Sequence, residues 1–162
     1  MTRDPTDEPP LTPERKAFLG LPHQPPMRLV EEVVALVAGE SARTICLARS
    51  EDFYFQGHFP GQPIVPAVML VELIAQTGGI AACSGTIPMP SQGLRLAALG
   101  SFKFPAAAGP GDVLETTARV VGRALGLIKI DGEVTASGRR VAVGSLTLAP
   151  GPFAQTNPTP SR

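Results

Sequence analysis

Two titratable residues stand out by their surroundings. His58, one of only two histidines, lies in the run Gly57-His58-Phe59-Pro60-Gly61. Glu72, fourteen positions further on, interrupts an apolar stretch from Ala67 to Cys83. Burying an unpaired carboxylate is costly, so Glu72 must be paired, hydrogen-bonded or protonated. A glutamate at a helix edge, reaching solvent or a backbone N–H, meets that demand without any chemistry. The histidine adds a second reading. A near-neutral base and a carboxyl at one cavity, in unlike environments, are what proton-transfer chemistry needs.

The element that carries Glu72 is a helix over about 66–84. Pro66 suits the first helical position, where its missing N–H needs no partner, and Gly85 can stop the helix. Apolar residues occupy every face, so this helix is buried in protein or in lipid. Lipid is excluded: roughly 20 apolar residues are needed to span, and Glu72, Gln76, Gly78 and Gly79 interrupt the run. The sequence therefore predicts a helix enclosed by the protein's own sheet. The loop that carries His58, residues 50–65, is dense in Phe, Gly and Pro and leads straight into it.

The run Phe53-Tyr54-Phe55-Gln56-Gly57-His58-Phe59-Pro60-Gly61, then Pro63-Ile64, Pro66, and Glu72 with Ala75-Gln76, resembles the FabZ-type 3-hydroxyacyl-[acyl-carrier-protein] dehydratases. The interval from His58 to Glu72 is the family's. The resemblance extends to Leu21-Pro22-His23 ahead of Pro26-Met27-Arg28-Leu29-Val30, and to Phe102-Lys103-Phe104 followed by Pro110-Gly111-Asp112, covering about residues 21–149.

Composition agrees with a single globular domain. The chain has 162 residues, 43% hydrophobic, with zero formal net charge and no tryptophan. That balance argues against a nucleic-acid surface. Cys46 and Cys83 both lie in apolar segments and read as small core residues, with no disulfide framework and no zinc site. Residues 1–10 and 150–162 are polar and proline-rich and are expected to be mobile tails around a domain at 11–149. The N-terminus has no apolar h-region, so a cytoplasmic protein is expected. A short helix is predicted over Thr12–Gly20. His23, in an extended proline-rich loop, reads as a hydrogen-bonded loop histidine; by the resemblance that segment is structural or lines an entrance.

Strands are predicted at 27–37, 41–49, 94–104, 113–123, 125–136 and 140–148. In the fifth, Ile128, Ile130 and Val134 oppose Leu127, Lys129, Asp131 and Glu133, and Gly132 reads as a bulge. Residues 85–92 are predicted to be loop. Six strands and one apolar helix fit an α+β architecture in which an antiparallel sheet wraps the helix. The resemblance implies the same architecture, the hotdog fold. One such domain leaves part of the helix and one sheet edge uncovered, which pairing two copies remedies. The resemblance implies homodimers or trimers of dimers, with sites at the dimer interface and His58 of one subunit facing Glu72 of the other. The spacing alone also permits the pair to meet within one chain.

The activity implied is dehydration of a 3-hydroxyacyl thioester, on acyl carrier protein or coenzyme A, to the trans-2-enoyl thioester. His58 is the natural base for the C2 proton, and Glu72, with its carboxyl desolvated by burial, donates a hydrogen bond or a proton to the leaving oxygen, unless the one histidine makes both transfers. The amides of Ala67 and Val68 at the helix N-terminus polarise the thioester carbonyl. Gly57 lets the backbone approach the ligand, Gln76 orients Glu72 or bonds to sheet backbone, and Pro66 starts the helix. Phe59, with Phe53, Phe55 and Met69, lines an acyl tunnel or belongs to the core. No metal or organic cofactor is needed. Two departures from the family's pattern matter. Ala67 stands where the family usually has glycine, and Pro105-Ala106-Ala107 stand where it tends to have arginines. An acidic carrier is steered by basic residues, and Lys103, Arg95, Arg119 and Arg123 are the remaining candidates. Two other functions compete: a non-catalytic hotdog partner or carrier-binding subunit, and a hotdog thioesterase or isomerase. A thioesterase uses a helix carboxylate but has no need of the His-Phe-Pro-Gly loop.

Overall fold

The computed structural model describes residues 21–85 and 93–151. The expected tails, apart from Pro150 and Gly151, the Thr12–Gly20 helix and most of the loop after Gly85 lie outside the described residues. The elements run β1 (Glu32–Val37), β2 (Ser41–Leu47), a single 3-10 turn (Phe53–Phe55), α1 (Ala67–Cys83), β3 (Leu94–Lys103), β4 (Val113–Ala124), β5 (Leu127–Ala136) and β6 (Arg139–Pro150). The strands form one sheet in the order β1-β2-β4-β5-β6-β3. Every neighbouring pair is antiparallel. This is the expected six-stranded sheet around one helix.

The helix is buried on most of its circumference, as its composition predicts. Leu70, Leu73 and Ile74 pack with Leu114, Ala118, Ile130, Val134 and Leu146 of the sheet. A smaller cluster joins the other end of the helix, through Ile80 and Ala81, to Val33 and Leu36 of β1. β4 alternates with period two: Leu114, Thr116 and Ala118 are buried and their neighbours are not. In β5 the inner face is Ile128, Ile130 and Val134, also as predicted.

Four local expectations are corrected. Pro66 is the residue before the first helical turn, in an extended conformation, with its carbonyl accepting from the Met69 N–H at 2.9 Å. β1 begins at Glu32 instead of 27, because the backbone of Met27, Leu29 and Val30 bonds to the Gln76 side chain. β5 begins at Leu127 instead of 125, because Leu125 and Gly126 take positive φ in the turn. Gly132 is not a bulge: β5 keeps its register through it. A Cβ there would stand 2.5 Å from Ile74 Cγ2, so the glycine is needed where the helix packs on the strand. Gly78 on the helix has the same role against Ile130, at 2.8 Å.

The cover is incomplete on one stripe of α1. Val68 is 70% exposed, and Glu72, Gly79 and Cys83 are half-buried. β3, the ten-residue edge strand beyond β6, is exposed along most of its length, Leu96 and Leu99 included. An unpaired edge with apolar side chains is a template for association.

Candidate active site

His58 sits in a tight turn built from backbone hydrogen bonds. Phe59 and Gln62 exchange N–H···O bonds of 3.2 and 3.0 Å, and the Ile64 N–H donates to the His58 carbonyl at 3.0 Å. Gly57 and Gly61 have φ of +86° and +75°, a region that side chains disfavour. The turn fixes the imidazole as well. His58 Nδ1 lies 3.0 Å from the carbonyl oxygen of Ile64. A carbonyl can only accept, so Nδ1 carries the proton and Nε2 is left as a lone-pair acceptor. Phe59 stacks on the ring with centroids 4.1 Å apart and is itself 53% exposed. His58 borders a cavity of about 400 Å³ with Phe59, Ala67, Leu70 and Phe104. Ala67 and Val68 begin the helix there, and first-turn amides have no intrahelical carbonyl to bond.

Glu72 borders a different cavity, of about 490 Å³, mostly apolar, with His23, Ala75, Gly79, Cys83 and Leu96. Within one chain, therefore, the turn and the helix do not bring His58 and Glu72 to a common cavity. Glu72 is not sealed among apolar groups as its helix suggested. Its side chain is 23% exposed. Gln76 Nε2 donates to its Oε1 at 2.9 Å, and His23 Nε2 lies 3.1 Å from the same oxygen. Gln76 contacts Glu72 as expected, but the backbone it binds is that of the loop before β1 and not the sheet. Besides Glu72 it binds backbone: Nε2 also donates to Met27 O at 2.7 Å, and Oε1 accepts from Leu29 N at 3.0 Å and Val30 N at 3.4 Å.

Of the four residues expected around an acyl tunnel, only Phe59 borders the His58 cavity. Phe55 and Met69 are buried in the core, and Phe53 lines a separate hollow beside β2. Cys83 lines the Glu72 cavity, but burial pushes its thiol up, and burial pushes the Cys46 thiol up to about 12. Neither is an activated nucleophile. Among the described residues, no cluster of His, Cys, Asp and Glu has the geometry of a metal site. The residue that spacing did not reveal is His23. Contact between a loop histidine and a helix carboxylate so distant in sequence leaves no periodic signal.

Residues 21–145 match the family model of the FabA-like domain. The chain belongs to the FabA-like family. Among its relatives is a 3-hydroxyacyl-[acyl-carrier-protein] dehydratase FabZ of Nitratidesulfovibrio vulgaris (strain DP4), 35% identical over 83% of this chain and 88% of that one. Another, from Roseiflexus sp. (strain RS-1), is 34% identical over 80% of this chain and 90% of its own. Among solved structures, a chain of the dehydratase heterocomplex ApeI:P from Xenorhabdus doucetiae aligns with a TM-score of 0.67. It is 16% identical and covers 83% of this chain and 90% of that chain. At that identity the likeness is one of fold, and the fold of this FabA-like chain is the hotdog. No helix among the described residues is long and apolar enough to cross a membrane.

Proposed function

We propose that this chain dehydrates 3-hydroxyacyl thioesters carried by acyl carrier protein, in the cytoplasm, at sites completed between two copies of the chain. The reaction removes a proton from C2 and hydroxide from C3, leaving the trans-2-enoyl thioester and water. His58 Nε2, the ring nitrogen without a proton, accepts the C2 proton. Glu72 gives a proton to the C3 oxygen, which leaves as water. The imidazolium then returns its proton to the carboxylate through solvent, and no net proton is consumed. Charge that develops on the thioester oxygen meets the Ala67 and Val68 amides at the positive end of α1.

The observation that carries this reading is where the two cavities lie along β3. Leu94, Arg95 and Leu96, at one end of the strand, line the Glu72 cavity. Phe104, just past the other end, lines the His58 cavity. Two β3 edges paired antiparallel about a two-fold axis bring the first end of one copy beside the second end of the other. His58 of one copy then faces Glu72 of its partner, twice per dimer. The dimer is the smallest unit that completes the site, and it covers the exposed Leu96 and Leu99.

The test is the ultraviolet absorbance of the enoyl thioester formed from a short 3-hydroxyacyl-carrier substrate, wild type beside His58→Ala. Signal in the wild type alone supports both the reaction and the base. Equal signal in the variant removes His58 as base, and no signal in either removes the activity.

A further inference from the structure

The geometry points to His23 as a positioning residue for the Glu72 carboxyl: it holds Oε1 and leaves Oε2 as the atom that serves the substrate. The inference rests on the reading of Glu72 as the acid and adds which residue aims it.

It begins at Gln76, a residue 1% exposed whose amide is fully used. Both N–H groups donate, to Met27 O and Glu72 Oε1, and the oxygen accepts from Leu29 N and Val30 N. Turning the amide over would unpair three buried or half-buried backbone groups, so its N–H faces Glu72 in fixed orientation. The same bonds clamp the loop before β1 across the middle of α1, and His23 comes with that loop. Its Nε2 stands 3.1 Å from Glu72 Oε1, the oxygen that Gln76 already holds. Oε2 receives no hydrogen bond from the described residues.

The other ring nitrogen settles the tautomer. His23 Nδ1 is buried and has no partner among the described residues. A proton there would be a buried donor with no acceptor, while Nε2 and Oε1 faced each other as lone pairs. A proton on Nε2 faces Oε1 at 3.1 Å and leaves Nδ1 a bare acceptor, the lesser cost. Glu72 Oε1 therefore lies between two nitrogens from different elements, Gln76 Nε2 on the helix at 2.9 Å and His23 Nε2 on the loop at 3.1 Å. One donor alone fixes a distance and leaves the carboxyl free to rotate; two fix its plane. A proton carried by Glu72 as an acid then resides on Oε2, in the cavity that His23 and Glu72 share.

The experiment measures kcat and KM for His23→Ala, His23→Gln and His23→Asn, with Glu72→Gln in the same assay and thermal melting of each variant. Glutamine brings an amide N–H to the place of Nε2, whereas asparagine brings it to the place of Nδ1. His23→Ala is expected to lower kcat by about 10²-fold, as for a misplaced catalytic group, with KM little changed. His23→Gln is expected to restore most of the loss and His23→Asn to restore none, at similar melting temperatures. Equal activity of His23→Gln and His23→Asn, whether high or low, overturns the proposal, because a merely structural loop histidine would not distinguish them. So does an undiminished kcat in His23→Ala. If Glu72→Gln turns over normally, the reading of Glu72 as acid has failed and this inference falls with it. An inactive Glu72→Gln beside indifferent His23 variants rejects this inference alone.

Discussion

The proton on His58 is placed by the Ile64 carbonyl, six residues along the same turn, so the proposed base is oriented by its own loop. The residue type and its Gly-His-Phe-Pro-Gly setting were legible in the sequence because the turn is local. Glu72 was legible as an anomaly, a carboxyl in an apolar helix, but its partners were only half so. Gln76 lies one helical turn away, a spacing that puts side chains together. His23 reaches it only through tertiary folding. Ala67 tests how much of the helix end serves the substrate. Its methyl is exposed and borders the His58 cavity, while its N–H is common to every residue type except proline. Ala67→Gly is expected to retain turnover, with an increase on ordinary acyl chains and a stability loss of no more than about 1 kcal/mol. Steady-state rates across chain lengths check this, and a clear loss of activity would make the methyl part of a fitted pocket.

At the scale of elements, α1 and β5 fix where Glu72 can be. Helix and sheet leave no room for a side chain at Gly132, against Ile74, or at Gly78, against Ile130. The buried face of β5 was readable from the alternation of its apolar residues, and the burial of α1 from its lack of a polar face. The close approach was not, since a glycine in a strand shows only that a side chain is absent, not what fills the space. Gly132→Ala places a methyl 2.5 Å from Ile74 Cγ2 and 3.1 Å from the Thr117 carbonyl oxygen, where backbone cannot yield. It is expected to destabilise the fold by about 1–3 kcal/mol, the range for overpacking a core. Chemical denaturation measures this, and an unchanged midpoint would mean that helix and sheet are not in contact there. The start of β1 has a similar explanation. A Val- and Leu-rich run reads as strand from its first residue, but Gln76 claims the backbone groups that a neighbouring strand would have used.

At the scale of the molecule, the His58 and Glu72 cavities of a single chain lie toward opposite ends of one exposed edge strand. The hotdog architecture was legible from six strands and one helix without a polar face. Whether base and acid meet within a chain or across a pair was not, because a fourteen-residue interval of loop and helix allows either. The fold decides against one cavity per chain, and subunit mixing tests the alternative directly. His58→Ala and Glu72→Gln are each expected to be inactive as purified homodimers. After the two are mixed and allowed to exchange subunits, each heterodimer has one site with both residues intact and one with neither. Random exchange makes half of the dimers mixed, so about a quarter of wild-type activity should return with the kinetics of subunit exchange. Activity that stays at the background of the separate variants, while exchange is verified by mass, would contradict a site shared between His58 of one chain and Glu72 of the other.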